Sequence, residues 1–216
     1  MNIFNKARAY WGKQAIETQL NSLKRTVVSC NIKDAETIGI LFNATHQVSF
    51  EIVKELVKNL GTKHNTIDVL GYVDSKQLID HYLYRKGFDF FTRKQLNWYF
   101  KPETENVKAF INKPFDLLIN LSLDEPYPIL YILASSMAKF KAGLYVKGQE
   151  YLDFMIDISK EKEAMENLRH EIDFELNKPE TANEDLEQII DSKTQTEIQL
   201  NFLINQLIHY LSLIKN

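Results

Sequence analysis

The stretch I-G-I-L-F-N-A-T-H-Q-V-S (38–49) places small polar side chains where an apolar run gives way to a helical pattern. At such a junction, α/β proteins often bind a phosphate or a cofactor, because backbone N–H groups at the start of the helix face the ligand. Asn43, Thr45 and His46 occupy this position. They are suited to hydrogen-bonding a small polar ligand, and the alternative is a turn whose polar groups satisfy one another.

Further candidate side chains follow two later apolar runs. Asp74 comes after T-I-D-V-L-G-Y-V, and Ser122 and Asp124 come after F-D-L-L-I-N-L. If both runs are strands of a parallel sheet, their carboxyl ends meet the first junction at one edge, where open α/β sheets bind ligands. Asp124 has a second interpretation, because an acidic residue also stabilises the start of a helix.

Cofactor binding through the first junction is not expected. A dinucleotide-binding loop needs glycines so that its backbone can approach the pyrophosphate, and a P-loop needs glycines and a lysine. The segment N-A-T-H-Q-V-S has neither residue type. Glu51, in the first turn of the predicted helix, would also repel an anion held by the helix dipole. We therefore predict no cofactor.

Residues for catalysis or metal binding are not apparent either. The five histidines show no ligand spacing, and the single cysteine, Cys30, precedes the first strand. No G-x-S-x-G nucleophile motif is present. The sequence therefore predicts no metal site and no catalytic residue. It leans away from an enzyme without deciding the question.

The elements that must position these side chains alternate between strand and helix. Strand-like runs occur at 37–42, 66–73, 88–91, 115–121, 144–146 and 152–158. Helical patterns occur at 1–25, 49–60 (capped by Ser49), 75–83, 126–141 (ending at Lys139 and Lys141) and 200–214. This alternation predicts a three-layer Rossmann-like sandwich, with a mostly parallel sheet of about five to six strands and helices on both faces.

The predicted organisation has two parts and one insertion. Residues 1–30 are assigned to a basic amphipathic N-terminal helix, and residues 31–216 to the α/β domain. An acidic insertion at about 160–194 interrupts the domain, since residues 160–185 contain nine acidic and four basic side chains. We interpret it as a solvated, partly helical segment.

Several stretches resemble a family of small bacterial Rossmann-like proteins whose function is unassigned. They are I-G-I-L-F-N-A-T, L-N-W-Y-F-K-P, F-D-L-L-I-N-L, A-S-S-M-A-K-F-K-A-G and I-H-Y-L. The resemblance implies the α/β fold but brings no catalytic residues. It also implies that the acidic insertion is particular to this chain. At the level of fold pattern, F-D-L-L-I-N-L with the following helix and strand is similar to nucleotide-sugar glycosyltransferase domains.

Two segments combine cations with large aromatic side chains. Residues 82–101 contain five cations against one acid, and residues 1–25 do the same. Trp11, Arg93, Lys94 and Trp98 are the candidate contacts for a protein partner or for self-association. Single-stranded nucleic acid remains an alternative partner, as does peripheral membrane contact through residues 1–25. Packing within the fold is the other explanation for both segments.

Composition and charge exclude few classes. The hydrophobic fraction of 44% is that of a globular protein, and the net charge of -3 gives no general attraction to nucleic acid. No signal-peptide pattern begins the chain, and the longest apolar run, 129–138, is too short to span a bilayer. We therefore expect a cytoplasmic protein. Its most plausible role is that of a non-catalytic binding module. The alternative is an enzyme acting on a nucleotide or sugar-phosphate at the strand ends.

Overall fold

A computed structural model describes residues 3–61, 66–78, 87–149, 151–164 and 192–215. Their elements, in chain order, are α1 (Ile3–Ser22), β1 (Thr37–Asn43), α2 (Gln47–Leu60), β2 (Thr66–Val73), β3 (Phe88–Thr92), α3 (Glu105–Asn112), β4 (Leu117–Asn120), α4 (Tyr127–Ser135), β5 (Phe140–Leu144), β6 (Phe154–Ile156) and α5 (Ser192–Leu211). A 3₁₀ turn follows β3 at Arg93–Gln95, and residues 159–164 are helical.

The six strands form one sheet in the order β3-β2-β1-β4-β5-β6, and all five pairings are parallel. In the register of the central strands, Ile40 of β1 lies opposite Val69 of β2 on one side and Ile119 of β4 on the other. The predicted Rossmann-like α/β fold is confirmed. This strand order is the one used by doubly wound nucleotide-binding folds.

Helices cover both faces of the sheet. Alternate strand residues such as Ile40 and Phe42 pack with α2 and α5, whereas Leu41 and Leu118 pack with α3 and α4. Outside this second helix layer, α1 lies on α4, where Ile16 contacts the buried side chains around Tyr131. The N-terminal helix is therefore packed against the domain.

The central strand behaves as its sequence predicts. Phe115, Leu117, Leu118, Ile119 and Leu121 are all buried. Between the two polar residues of this stretch, Asp116 and Asn120, the run Leu117–Ile119 is wholly apolar, because β4 has neighbouring strands on both sides and helices on both faces.

Other predicted boundaries were wrong. Helix α2 begins at Gln47 with His46 at its N-cap, so Ser49 lies inside the first turn and does not cap the helix. Helix α4 ends at Ser135, and the following strand is Phe140–Leu144 in place of the predicted 144–146. Lys141, read from sequence as the last turn of a helix, is a buried residue of β5.

Two predictions lie partly outside the described residues. Residues 75–78 are not helical, and the rest of the helix predicted at 75–83 is not described. Within the acidic insertion, residues 160–164 are helical and 192–194 belong to α5, while 165–191 are not described. The sequence pattern gave no indication of α3, a short helix with only Val107 and Phe110 buried.

Candidate functional site

The polar side chains of interest collect at the carboxyl ends of β1 and β4. These strands are neighbours at the centre of the sheet, and the chain proceeds outward from them in opposite directions, through β2 and β3 on one side and β5 and β6 on the other. Such a reversal leaves a crevice between the loops, and it is where open α/β sheets bind their ligands. Asn43 ends β1, and Asp124 lies four residues beyond the end of β4.

A cavity of about 370 Å³ opens at this point. We call it the switch-point cavity. It is lined by Asn43, His46, Ser49, Leu121, Leu123, Asp124, Lys162, Gln195, Thr196 and Gln199. Its volume lies near the lower end of the range of about 300–1,000 Å³ that is usual for ligand pockets. Two apolar residues face eight polar or charged ones, so the cavity suits a small, strongly polar molecule.

Helices α2 and α5 supply most of one wall because they pack against each other over the sheet. The first turn of α2 contributes Ser49, and His46 at the N-cap makes no side-chain hydrogen bond to the helix. The first backbone N–H groups of a helix have no intrahelical acceptors, so this turn presents partial positive charge to the cavity.

Two side chains in this wall have unused hydrogen-bonding capacity. Gln199 is 9% exposed and Ser49 is 7% exposed, and neither side chain hydrogen-bonds to any residue that the structure describes. Both residues line the cavity, so their polar groups are accessible from it. Polar groups this deeply buried are normally paired with protein or water, and a ligand in the cavity could take the place of water.

A chain of hydrogen bonds connects Asn43 with the neighbouring strand ends. The Asn43 side-chain NH₂ donates to both carboxylate oxygens of Asp124, at 3.1 and 2.9 Å. Its Oδ1 accepts from the Thr45 hydroxyl at 2.6 Å, and that hydroxyl oxygen accepts from the Asp74 backbone N–H at 2.9 Å. Arg93 Nε then donates to Asp74 at 2.7 Å. These linked hydrogen bonds fix the orientation of Asp124 at the cavity.

At the far end of this series of hydrogen bonds, Arg93 and Asp74 form an ion pair that stabilises the fold. The hydrogen bond from Arg93 holds the pKa of Asp74 below its ordinary value. The Tyr72 hydroxyl also donates to Asp74 at 2.8 Å, and burial raises the pKa of that tyrosine. Asp74 and Arg93 are thus committed to each other, next to the cavity and not in it.

Only some of the residues predicted to bind a ligand therefore line the cavity. Asn43, His46 and Asp124 line the cavity, whereas Thr45, Asp74 and Ser122 do not. Ser122 is 1% exposed, and its hydroxyl has no partner within the described chain. The sequence analysis did not include Lys162, Gln195, Thr196 or Gln199, and it assigned Ser49 only as a cap. No local pattern marks these residues, because tertiary packing alone brings them to the strand ends.

The loop between β1 and α2 uses its own backbone donors. The Ala44 N–H donates to the Tyr72 carbonyl at 2.7 Å, and the Thr45 N–H donates to Asn43 Oδ1 at 3.0 Å. Glu51, considered above as an anion repellent, is paired with Lys54. A pyrophosphate cradle needs free loop N–H groups, so this loop is not built as one.

The predicted partner-binding residues lie elsewhere. Trp11 is 54% exposed on α1 and Trp98 is 56% exposed on the turn after the 3₁₀ helix, while Lys94 is exposed. Arg8 of α1 joins the two segments: its Nε donates to the Trp98 carbonyl at 2.5 Å, and its guanidinium lies 4.0 Å over the Phe100 ring. Arg93 belongs instead to the pair with Asp74.

The described residues contain neither a metal-binding cluster nor a membrane-spanning helix. In the ranges given above, no group of three or more His, Cys, Asp or Glu side chains could hold a metal ion. Among the helices that the structure describes, none has both the length and the apolar character needed to cross a membrane.

Comparison with known proteins gives one match. A model of a family of unknown function (DUF6913) matches residues 8–174, which include all six strands and most of α1 and end before α5. No curated protein and no solved structure matches the sequence.

Proposed function

The chain belongs to this family of unknown function, and we propose that it is a non-catalytic binding module whose switch-point cavity holds a small polar ligand. The observation that carries the proposal is the wall formed by Ser49 and Gln199, two buried polar side chains that line the cavity and have no hydrogen-bond partner among the described residues. In the cavity these side chains are free to hydrogen-bond water or a ligand. A ligand that replaces the water there can make the same hydrogen bonds and keep the orientation that the wall imposes.

The remaining lining residues supply both kinds of hydrogen-bonding group. Asp124 provides acceptors, Lys162 provides donors, and the amides of Gln195 and Gln199 provide both. We assign no catalytic residue, because the Ser49 hydroxyl has no base as a hydrogen-bond partner among the described residues. We propose a bacterial setting from the sequence resemblance alone, and a cytoplasmic one from the hydropathy pattern of the sequence.

The competing function is an enzyme that acts on a nucleotide, nucleotide sugar or sugar-phosphate at the strand ends. The strand order and the position of the cavity favour it. Against it stand the occupied N–H groups of Ala44 and Thr45 and the carboxylate of Asp124, which would face the phosphate.

Replacing Gln199 with leucine should abolish ligand binding and change the stability of the free protein little. The amide that is lost is accessible at the cavity, so we expect the free energy of unfolding to change by less than about 1 kcal/mol. The stabilising ligands would be identified by thermal shift with a library of polar metabolites. A ligand at 100 times its Kd adds about 2.7 kcal/mol to the wild type, and Gln199→Leu should lose that gain.

The matched control is Gln206→Leu, the same change two turns further along α5 and outside the cavity. It should keep the ligand-induced shift. If Gln199→Leu retains the full shift, or if no library member stabilises the wild type, the proposed site is wrong.

A second candidate function is docking of a protein partner at the surface around Arg8. There Trp11 and Trp98 are both more than half exposed, and Arg8 ties their two segments together. The exposed cations Lys13 and Lys94 favour a partner with an acidic surface. Exposed tryptophans beside cations are typical of binding hot spots.

The double variant Trp11→Ala/Trp98→Ala should lose this partner while its melting temperature changes little, because both side chains are largely exposed. Affinity purification with the chain as bait would measure the partner, and size-exclusion chromatography would detect self-association. Tyr145→Ala, a similarly exposed aromatic change after β5, is the control. An unchanged partner set would contradict docking. If RNA is retained with a steep salt dependence, the partner is a nucleic acid and not a protein. If the chain binds anionic vesicles, the partner is a membrane surface.

A further inference from the structure

The switch-point cavity contains two opposite charges that do not neutralise each other. Asp124 is hydrogen-bonded by the uncharged amide of Asn43, and Lys162 makes no ion pair within the part of the chain that the structure describes. Asp124 likewise has no cationic partner among those residues. Apart from His46, the other lining side chains are uncharged. The cavity therefore offers a ligand one negative charge, which accepts hydrogen bonds, and one positive charge, which donates them.

This distribution selects against ligands that carry a single type of charge. A charged group of a ligand is attracted by the opposite charge in the cavity and repelled by the like charge. A phosphate dianion would gain at Lys162 and lose at Asp124, and an amine would do the reverse. A molecule with a separated anion and cation gains at both places.

The neutral groups extend the same pattern. The first turn of α2, with His46 and Ser49 at the cavity, adds partial positive charge and therefore favours an anionic group on its side. Asn43 holds Asp124 through both carboxylate oxygens, and each oxygen retains a lone pair for a further donor. Gln199 can donate to one part of a ligand and accept from another.

We propose that the ligand of the switch-point cavity is a small zwitterion with one carboxylate and one ammonium group, the chemistry of a free amino acid. Its ammonium group donates to Asp124, and its carboxylate accepts from Lys162 and the first turn of α2. The cavity volume of about 370 Å³ suits a molecule of this size. This inference rests on the proposed ligand-binding function and narrows it to one chemical class.

Three sets of probes separate the two charges. Calorimetric titration of the full chain would use the free amino acids, the corresponding 2-hydroxy acids, which lack the ammonium group, and the corresponding amino-acid amides, which lack the carboxylate. We expect at least one amino acid to bind, and both of its analogues to bind at least tenfold more weakly. Equal affinity for the amino acid and either analogue would overturn the proposal.

Two substitutions assign the charges to side chains. Asp124→Asn should weaken binding of the amino acid at least tenfold and leave its 2-hydroxy analogue unaffected. Lys162→Gln should weaken the amino acid equally and leave its amide analogue unaffected. Asp89→Asn, on the exposed side of β3, and Lys160→Gln, exposed near Lys162, are the controls and should change neither affinity.

The failure of this inference and that of the proposed function give different results. Inorganic phosphate and glucose 6-phosphate complete the probe set. If either binds more tightly than every amino acid, and Gln199→Leu abolishes that binding, the cavity is a ligand site and the zwitterion proposal is wrong. If none of the probes and none of the metabolite library binds, both proposals fail.

Discussion

Replacing Asp153 with alanine is expected to lower the free energy of unfolding by about 2–3 kcal/mol, because it removes a part-buried ion pair whose hydrogen bonds involve charged groups. Asp153 Oδ1 accepts from Arg25 at 2.5 Å, and the two side chains are only 14% and 15% exposed. Asp153 Oδ2 accepts from the Lys141 backbone N–H at 2.9 Å. The variant thus removes a partner from a part-buried guanidinium and from a strand N–H at once. Urea denaturation at neutral pH would measure the loss.

The pair also fixes the segment that leads from α1 to β1. Arg25 donates in addition to the carbonyls of Ala138 and Lys139, so it ties this segment to the start of β5. The double variant Arg25→Met/Asp153→Leu leaves no charge without a partner. Its loss of unfolding free energy should therefore be smaller than the sum of the losses for Arg25→Met and Asp153→Leu. A loss below about 1 kcal/mol for Asp153→Ala would show that the pair is solvent-screened.

Between pH 7 and pH 9 the free energy of unfolding is expected to rise by about 2–3 kcal/mol because of Lys141. This side chain is 1% exposed, and its Nζ donates to the Leu133 carbonyl at 2.6 Å. Burial, with a contribution from Arg25, lowers the pKa of Lys141 to about 7. Above pH 7 the folded state holds this amine neutral while the unfolded chain still binds the proton, so stability increases with pH. Below pH 7 the amine is charged in both states, and the gain is absent.

Denaturation curves at half-unit intervals of pH would test this. Lys141→Met should flatten the rise, whereas Lys147→Met, at an exposed site after β5, should keep it. The range stops at pH 9 because burial raises the pKa of Cys30 and of Tyr72, and both groups then lower stability as the pH rises further. A wild-type curve without any rise between pH 7 and pH 9 would contradict a neutral amine at this position.

Lys141 also explains one error of the sequence analysis. A cation after an apolar helix was read as the last turn of that helix, where it would stabilise the terminal carbonyls. The lysine does bond to a carbonyl at the end of α4, that of Leu133, but it reaches it from the neighbouring strand. The sequence indicated that a lysine bonds to a carbonyl at the end of α4. It did not indicate that this lysine comes from β5, because that depends on tertiary packing.

The strands at the centre of the sheet were predictable because their local sequence is sufficient to identify them. T-I-G-I-L-F and F-D-L-L-I-N-L are short, nearly continuous apolar runs, and a strand covered on both faces buries most of such a run. Their order along the chain then places Asn43 and Asp124 at one edge. The strand-end rule found these two residues of the cavity, along with His46.

The other half of the cavity could not be derived in this way. Gln195 and Gln199 lie on α5, more than 150 residues after Asn43, and Lys162 lies at the edge of the acidic insertion. Their positions depend on how α5 packs against α2. In sequence, a glutamine on an amphipathic helix is indistinguishable from a solvent-facing one.

The central claim is that the switch-point cavity holds a ligand through Gln199, and NMR of its side-chain amide tests this most directly. The amide pair would be assigned by its disappearance in Gln199→Leu, and the wild type would be titrated with the compound that gives the largest thermal shift. We predict that this pair moves and saturates with the Kd found by calorimetry, while the Gln206 amide pair stays in place. If the compound binds and the Gln199 amide does not move, the ligand lies elsewhere and the account of the cavity is wrong.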